Sequence, residues 1–241
     1  MRYLILFLTL SIFAFGECDD NADKLAVSYP QISHCHNNRI VFTDGTTMLY
    51  DDGKKKSFEE LLNHADIEDM FSMHYPRGKN SYEPPAKDFD PGRIRNEDFT
   101  KKIYGSTSRQ IQAKLTTIPF VHGKRIQITT INGVDKKLQA VGRELEALPQ
   151  KYHKYFAQIG GTYYWRPIAG TNRLSSHSFG IAIDINVKYS AYWRWSKGAY
   201  RYQNQIPPVI VEIFEKHGFI WGGKWYHYDT MHFEYRPELL R

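Results

Sequence analysis

The stretch Ser175-Ser176-His177-Ser178-Phe179-Gly180-Ile181-Ala182-Ile183-Asp184, answered near the C-terminus by Asp229-Thr230-Met231-His232-Phe233-Glu234, decides how this chain folds and what it holds. Zinc at a catalytic centre takes three protein ligands from His, Cys, Asp or Glu and leaves a fourth position open. His177, Asp184 and His232 supply such a set. On one regular strand, residues 177 and 184 would face opposite sides and lie roughly 23 Å apart, at about 3.3 Å per residue. They reach a single ion only if the chain turns between them, and Gly180 is the residue best able to turn.

Beyond Gly180 the pattern alternates. Gly180, Ala182, Asp184 and Asn186 share one face, and Ile181, Ile183, Ile185 and Val187 share the other, which predicts a strand with one face in the core. The opposite face is small, small and then acidic, leaving room above it for an ion and a substrate. In the second segment His232 and Glu234 point one way, and Met231, Phe233 and Tyr235 the other. Two half-buried strands thus deliver polar groups to a common side. A lone His beside a strand is ordinarily a structural hydrogen-bonding group. The arrival of His, Asp and His together, with an acid three residues before the last His, favours a metal site.

The pattern Ser-x-His-x-x-Gly-x-Ala-x-Asp followed by Asp-x-x-His resembles the zinc peptidases of the D-alanyl-D-alanine carboxypeptidase family, the M15 or VanY/VanX-like group. The similarity extends to Tyr164-Trp165-Arg166-Pro167 and to the run from Gly218 to Trp225, so it spans about residues 160 to 236. It implies His177, Asp184 and His232 as Zn2+ ligands and Asp229 as the base that takes a proton from water at the metal. Zinc lowers the pKa of water towards about 7, within reach of a nearby carboxylate. The resemblance also implies Arg166 as the positive partner of the developing oxyanion, a surface salt bridge being its plainer reading. Arg173 is a rival for binding a substrate carboxylate. Ser175 either bonds substrate or stabilises a turn. Glu234 either orients His232 by accepting its other N–H or is an exposed strand-end carboxylate. His227 is not expected to be a ligand, since the family pattern places that residue directly before Phe233-Glu234; it lines the cleft or packs beside Trp225.

The fold expected is α+β: a small antiparallel sheet carrying the zinc site and flanked by helices, in the DD-peptidase/hedgehog-like arrangement, with an N-terminal elaboration. The division expected is a signal peptide over 1–16, an N-terminal elaboration over 17–115 and a zinc peptidase core over 116–241. Strands are read at Arg39 to Thr43 and Thr46 to Tyr50 about the turn pair Asp44-Gly45, and from Lys124 to Thr130. Ser57 with Glu60 forms a capping box. Val134, Leu138, Val141, Leu145 and Leu148 recur at helical spacing, Pro149 interrupts them, and Tyr152 to Phe156 start another turn. A last helix follows Pro207-Pro208, burying Val209, Ile213 and Phe214 and stopping at Gly218. Residues 75–93 read as a long loop, flexible or pinned across the cleft.

Arg2 and the apolar run Leu4 to Phe15 read as a secretory signal peptide, too short for a membrane span of about 20 residues, with cleavage near Gly16. An uncleaved anchor and, through Cys18, a lipoprotein are rival readings. An exported, periplasmic or cell-envelope protein would allow the two cysteines, Cys18 and Cys35, to pair. The His34-Cys35-His36 cluster is a less favoured metal reading. Mean hydropathy is −0.54, and no further apolar stretch is long enough to span a bilayer. Removing residues 1–16 takes the charge from +6 to +5, because Arg2 is the only charged residue lost. No element interleaves basic and stacking aromatic residues as nucleic-acid binding demands, so anionic cell-wall polymer is the simpler partner. Lys54-Lys55-Lys56 reads as solvated. Tyr189, Tyr192, Trp193 and Trp195 are either a wall for substrate or ordinary packing.

The expected activity is hydrolysis of an amide in peptidoglycan stem peptides. D-Ala-D-Ala carboxypeptidase action is the first reading, an L-Ala-D-Glu or other stem endopeptidase the second, and a non-catalytic wall-binding protein the alternative of another class.

Overall fold

Asp19 opens the first helix by accepting from the backbone N–H groups of Asn21 and Ala22, so α1 runs Asp20–Ser28. The computed structural model describes residues 18–78 and 83–241, and the expected signal peptide lies outside them. β1 (Ile32–His36), β2 (Arg39–Phe42) and β3 (Thr47–Leu49) form an antiparallel meander. Gly45 turns between the last two at φ 80°. The hairpin was readable from Asp44-Gly45, but β1 was not, since its burial does not alternate cleanly. Cys18 and Cys35 are joined by a disulfide with Cα atoms 5.9 Å apart, tying the start of α1 to β1.

The expected capping box is present at Ser57 and Glu60 and starts α2 (Phe58–His64). Ahead of it, Lys56 departs from the solvated reading. Its side chain is 6% exposed and its ammonium bonds Asp52 at 2.9 Å, Asp66 at 2.8 Å and Asp69 at 2.5 Å. Asp66 and Asp69, which the fold brings beside Asp52, draw that lysine inward. The flanks of the 75–93 segment are pinned: Tyr75 donates to Glu215 at 2.8 Å, and Trp225 donates to the Pro91 carbonyl at 2.6 Å.

α3 (Glu97–Tyr104) and α4 (Ser108–Gln112) lead to the two-stranded sheet of β4 (Leu115–Pro119) and β5 (Arg125–Thr129). The amphipathic helix α5 (Val134–Glu146) buries Val134, Leu138, Val141 and Leu145, and a 3-10 turn over Gln150–Tyr155 follows Pro149. β6 (Ala182–Asp184), α6 (Pro208–Lys216), β7 (Phe219–Trp221) and β8 (His232–Tyr235) complete the described elements, with the third sheet ordered β6-β8-β7. Phe214 of α6 stacks on Phe233 of β8 at 3.8 Å, which seats the last helix against the central strand. The chain is therefore α+β, with small antiparallel sheets packed by helices.

Two expectations about the alternating strands need correction. Ile181, Ile183 and Ile185 are buried, but Val187 is 40% exposed because a 3-10 turn over Val187–Tyr189 ends the alternation. β8 is buried on both faces rather than one, since Phe214 of α6 stacks on Phe233 on one side and Arg95 and Arg236 cover Glu234 on the other.

Candidate metal centre

Gly180 makes the bend the sequence demanded. His177 sits on a 3-10 turn, Ser176–Phe179, that Ser175 caps and that Gly180 ends at φ 64° in the left-handed region. A Cβ at Gly180 would also lie 2.7 Å from Leu115 Cδ2 and 3.2 Å from the Thr129 nitrogen, so both conformation and space require glycine there. Two residues later β6 begins, and its register places Asp184 directly opposite His232 and Ala182 opposite Glu234. Small Ala182 leaves the space above the strand to its neighbours.

The result is a cluster in which one ligand atom each from His177, Asp184 and His232 lie within 4.8 Å of one another. Asp184 Oδ1 is 3.2 Å from His177 Nε2 and 3.0 Å from His232 Nδ1. The outward nitrogens are held from behind. His177 Nδ1 meets the Thr162 carbonyl at 2.5 Å and His232 Nε2 meets Glu234 Oε2 at 3.1 Å. A carbonyl and an ionised carboxylate only accept, so those nitrogens carry the protons. Once the rings are neutral, the two inward nitrogens and Asp184 Oδ1 offer lone pairs that converge on one point, a donor set that suits a cation. His–Asp–His chemistry fits Zn2+, and the carbonyl and carboxylate behind the rings are the outer partners that metal-bound imidazoles need.

Electrostatics report the same crowding. Burial pushes Asp184 up, but hydrogen bonds from His177 and His232 outweigh it and hold the carboxyl well below the ordinary range. Burial pulls His232 down, whereas Asp184 and Glu234 push it up to about 10. Glu234, 2% exposed, is no exposed strand-end carboxylate. Burial raises it, and Arg95 and His232 more than reverse that. Behind it Arg236 donates to Glu234 at 3.4 Å and to Glu238 at 2.5 Å, and Tyr29 donates to Glu238 at 2.6 Å.

Asp229 lines the same cavity, of about 330 Å³, with its Oδ1 buried and, among the described residues, without a hydrogen-bond partner. Burial raises its carboxyl to about 6, with Asp184 adding to the rise and His232 opposing it. Its backbone is clamped by a bond from its own N–H to the Gly222 carbonyl at 3.0 Å. A Cβ on Gly222 would fall 2.6 Å from the Asp229 carbonyl oxygen, which explains glycine at that position.

Arg166 and Arg173 reach the cavity from a short paired loop, closed by a bond from the Ile168 N–H to the Arg173 carbonyl at 2.8 Å. Ser178 fixes this loop to the ligand turn by accepting from the Arg166 N–H at 3.0 Å and donating to its carbonyl at 2.8 Å. Arg166 is exposed and, among the described residues, has no carboxylate within ion-pairing distance, so the salt-bridge reading is not what the structure shows. Arg173 Nε is buried and, among the described residues, without a partner, and burial together with Arg95 and Arg93 lowers its guanidinium to about 10. Ser175 caps the His177 turn, accepting from the His177 N–H at 3.4 Å, and its residue also borders the cavity.

The sequence reading missed Arg93, Arg95 and Asp90, all upstream. Arg95 donates to Ser176 Oγ and, at 3.4 Å, to Glu234, and so braces both halves of the site. Nothing in the local pattern of Arg93-Ile94-Arg95 marks it as a neighbour of residues eighty positions on. Of the four aromatic residues, Tyr192 and Trp195 border the cavity, whereas Tyr189 packs on Tyr155 at 5.5 Å.

No curated protein and no solved structure matches this chain. Residues 169–235, the segment that carries His177, Asp184, Asp229 and His232, match a family model described as D-alanyl-D-alanine carboxypeptidase.

Proposed function

We propose that this protein is an exported zinc peptidase that hydrolyses an amide bond in peptidoglycan stem peptides, acting first as a D-Ala-D-Ala carboxypeptidase. The observation that carries the reading is the convergence of three lone-pair donors beside a buried, unpartnered carboxylate oxygen in one cavity. His177, Asp184 and His232 would hold the metal. Zinc bound there supplies Lewis acidity, polarising a carbonyl and making water acidic enough to lose a proton near neutral pH.

The chain's own residues do the rest. Asp229 takes the proton released as water attacks the carbonyl carbon and returns it to the departing amine nitrogen, so the carboxylate is regenerated. Arg166, with no carboxylate to compete for it, donates to the oxygen that gains negative charge. Arg173 presents its unpartnered Nε to a substrate carboxylate, which is what favours removal of a C-terminal residue over an internal cut. Tyr192 and Trp195 flank the peptide.

The test is product analysis: zinc-loaded mature protein incubated with purified muropeptides, with D229A and a chelator as controls, read by mass spectrometry. Loss of one terminal alanine, absent from both controls, is the expected result. An internal cut makes the enzyme a stem endopeptidase. No cleavage by folded, zinc-containing protein contradicts the hydrolase reading and favours a wall-binding protein.

A further inference from the structure

This inference rests on the reading of the cleft as a peptide site and adds a residue to it. His227 lines the same cavity as the ligands, and Tyr228 between it and Asp229 is fully buried, with its hydroxyl on the Arg201 carbonyl at 2.9 Å. Tyr228 is thus buried between two residues that both border the cavity, His227 and Asp229.

The imidazole is held on every side except that one. Asp90, whose side chain is 0% exposed, accepts from the His227 backbone N–H at 2.9 Å and meets Nδ1 at 2.6 Å. Arg93 donates to the same carboxylate at 3.3 Å. Phe58 stacks on the ring at 5.9 Å and 14°, and Trp193 meets it edge-on at 4.6 Å and 68°. Among the described residues nothing hydrogen-bonds Nε2, and the side chain is 19% exposed, towards the cavity.

A buried carboxylate already paired with an arginine accepts rather than donates, so Nδ1 carries a proton, and in the neutral form of the ring Nε2 is an acceptor. A cavity bordered by Arg93, Arg95, Arg166 and Arg173 is rich in donors, and a peptide's own N–H needs an acceptor on the wall. We propose that His227, locked in the Nδ1–H tautomer by Asp90, is a substrate-binding residue whose Nε2 accepts a hydrogen bond from a backbone N–H of the bound peptide. It acts in ground state and transition state alike, so its loss raises KM and spares kcat.

The experiment uses full-length mature protein loaded with zinc and a synthetic stem pentapeptide ending in D-Ala-D-Ala. In 15N-histidine NMR, His227 is expected as the Nδ1–H tautomer and, in D90N, as the Nε2–H tautomer, because the amide turns its NH2 to Nδ1. This is read without substrate, and finding the Nε2–H tautomer in the unmodified protein overturns the dyad. In H227A, with zinc content unchanged, KM is expected to rise about five- to tenfold with kcat within about twofold. Unchanged KM overturns the substrate contact. Should the unmodified protein cleave nothing, the peptidase reading fails separately. The substrate contact is then judged by whether the His227 Nε2 resonance moves when the pentapeptide is added, and an unmoved resonance overturns it.

Discussion

At the scale of single residues, Asp229 sets a conflict between stability and chemistry. Its folded carboxyl titrates at about 6 against an ordinary 3.8. Between those values the folded chain binds the proton more tightly than the unfolded chain. Stability from this group is therefore full below pH 4 and is lost as pH rises through 6. Zinc-free D229N should accordingly be more stable than the parent at pH 7.5, by about 1–3 kcal/mol, and the difference should vanish at pH 4. Parallel thermal melts at both values check this, and a destabilised D229N at pH 7.5 would show that the carboxylate has a favourable partner. Glu234 is the second residue with a clear consequence. It holds the outward nitrogen of His232, so E234Q should weaken zinc about 10- to 100-fold, measured by chelator competition.

Elements decide whether those residues meet. That His177, Asp184 and His232 come together was legible because chemistry and spacing agree: an odd separation that no straight strand satisfies, and a glycine in the middle. Gly180 at φ 64°, with Leu115 and Thr129 against it, is where β6 and the ligand turn are hinged. G180A should destabilise the fold by about 1–3 kcal/mol and lower zinc affinity as well, because His177 and Asp184 lie on opposite sides of the bend. Calorimetry with zinc titration tests both, and an alanine variant with native zinc binding would refute the hinge. What the sequence did not show is the pairing order. Only the register β6-β8-β7 explains why Asp184 faces His232, and short strands of three or four residues leave little alternation to read.

On the scale of the whole molecule, long-range charge is what sequence reading lost. Arg95, Arg236, Glu238 and Tyr29 join the N-terminal helix to the C-terminal segment and to the back of the metal centre. A local window carries no sign that Arg95 and Glu234, 139 positions apart, pair in the interior, and Lys56 was misread because two of its three carboxylates, Asp66 and Asp69, lie beyond α2. The disulfide belongs to this scale too. Cys18 and Cys35 close a loop of 17 residues, which stabilises by about 3 kcal/mol. The C18S/C35S double variant should melt lower by roughly 6–12 °C while zinc content stays unchanged. Zinc lost with the bridge would mean that the N-terminal region builds the site and does not merely brace it.

The most direct test of a hydrolytic metal centre is to measure zinc content and stem-peptide cleavage together in the unmodified protein, D184A and D229A. We expect bound zinc in the first and third, cleavage in the first alone, and neither in D184A. Cleavage by zinc-loaded D229A at the unmodified rate, or full zinc content in D184A, would contradict it.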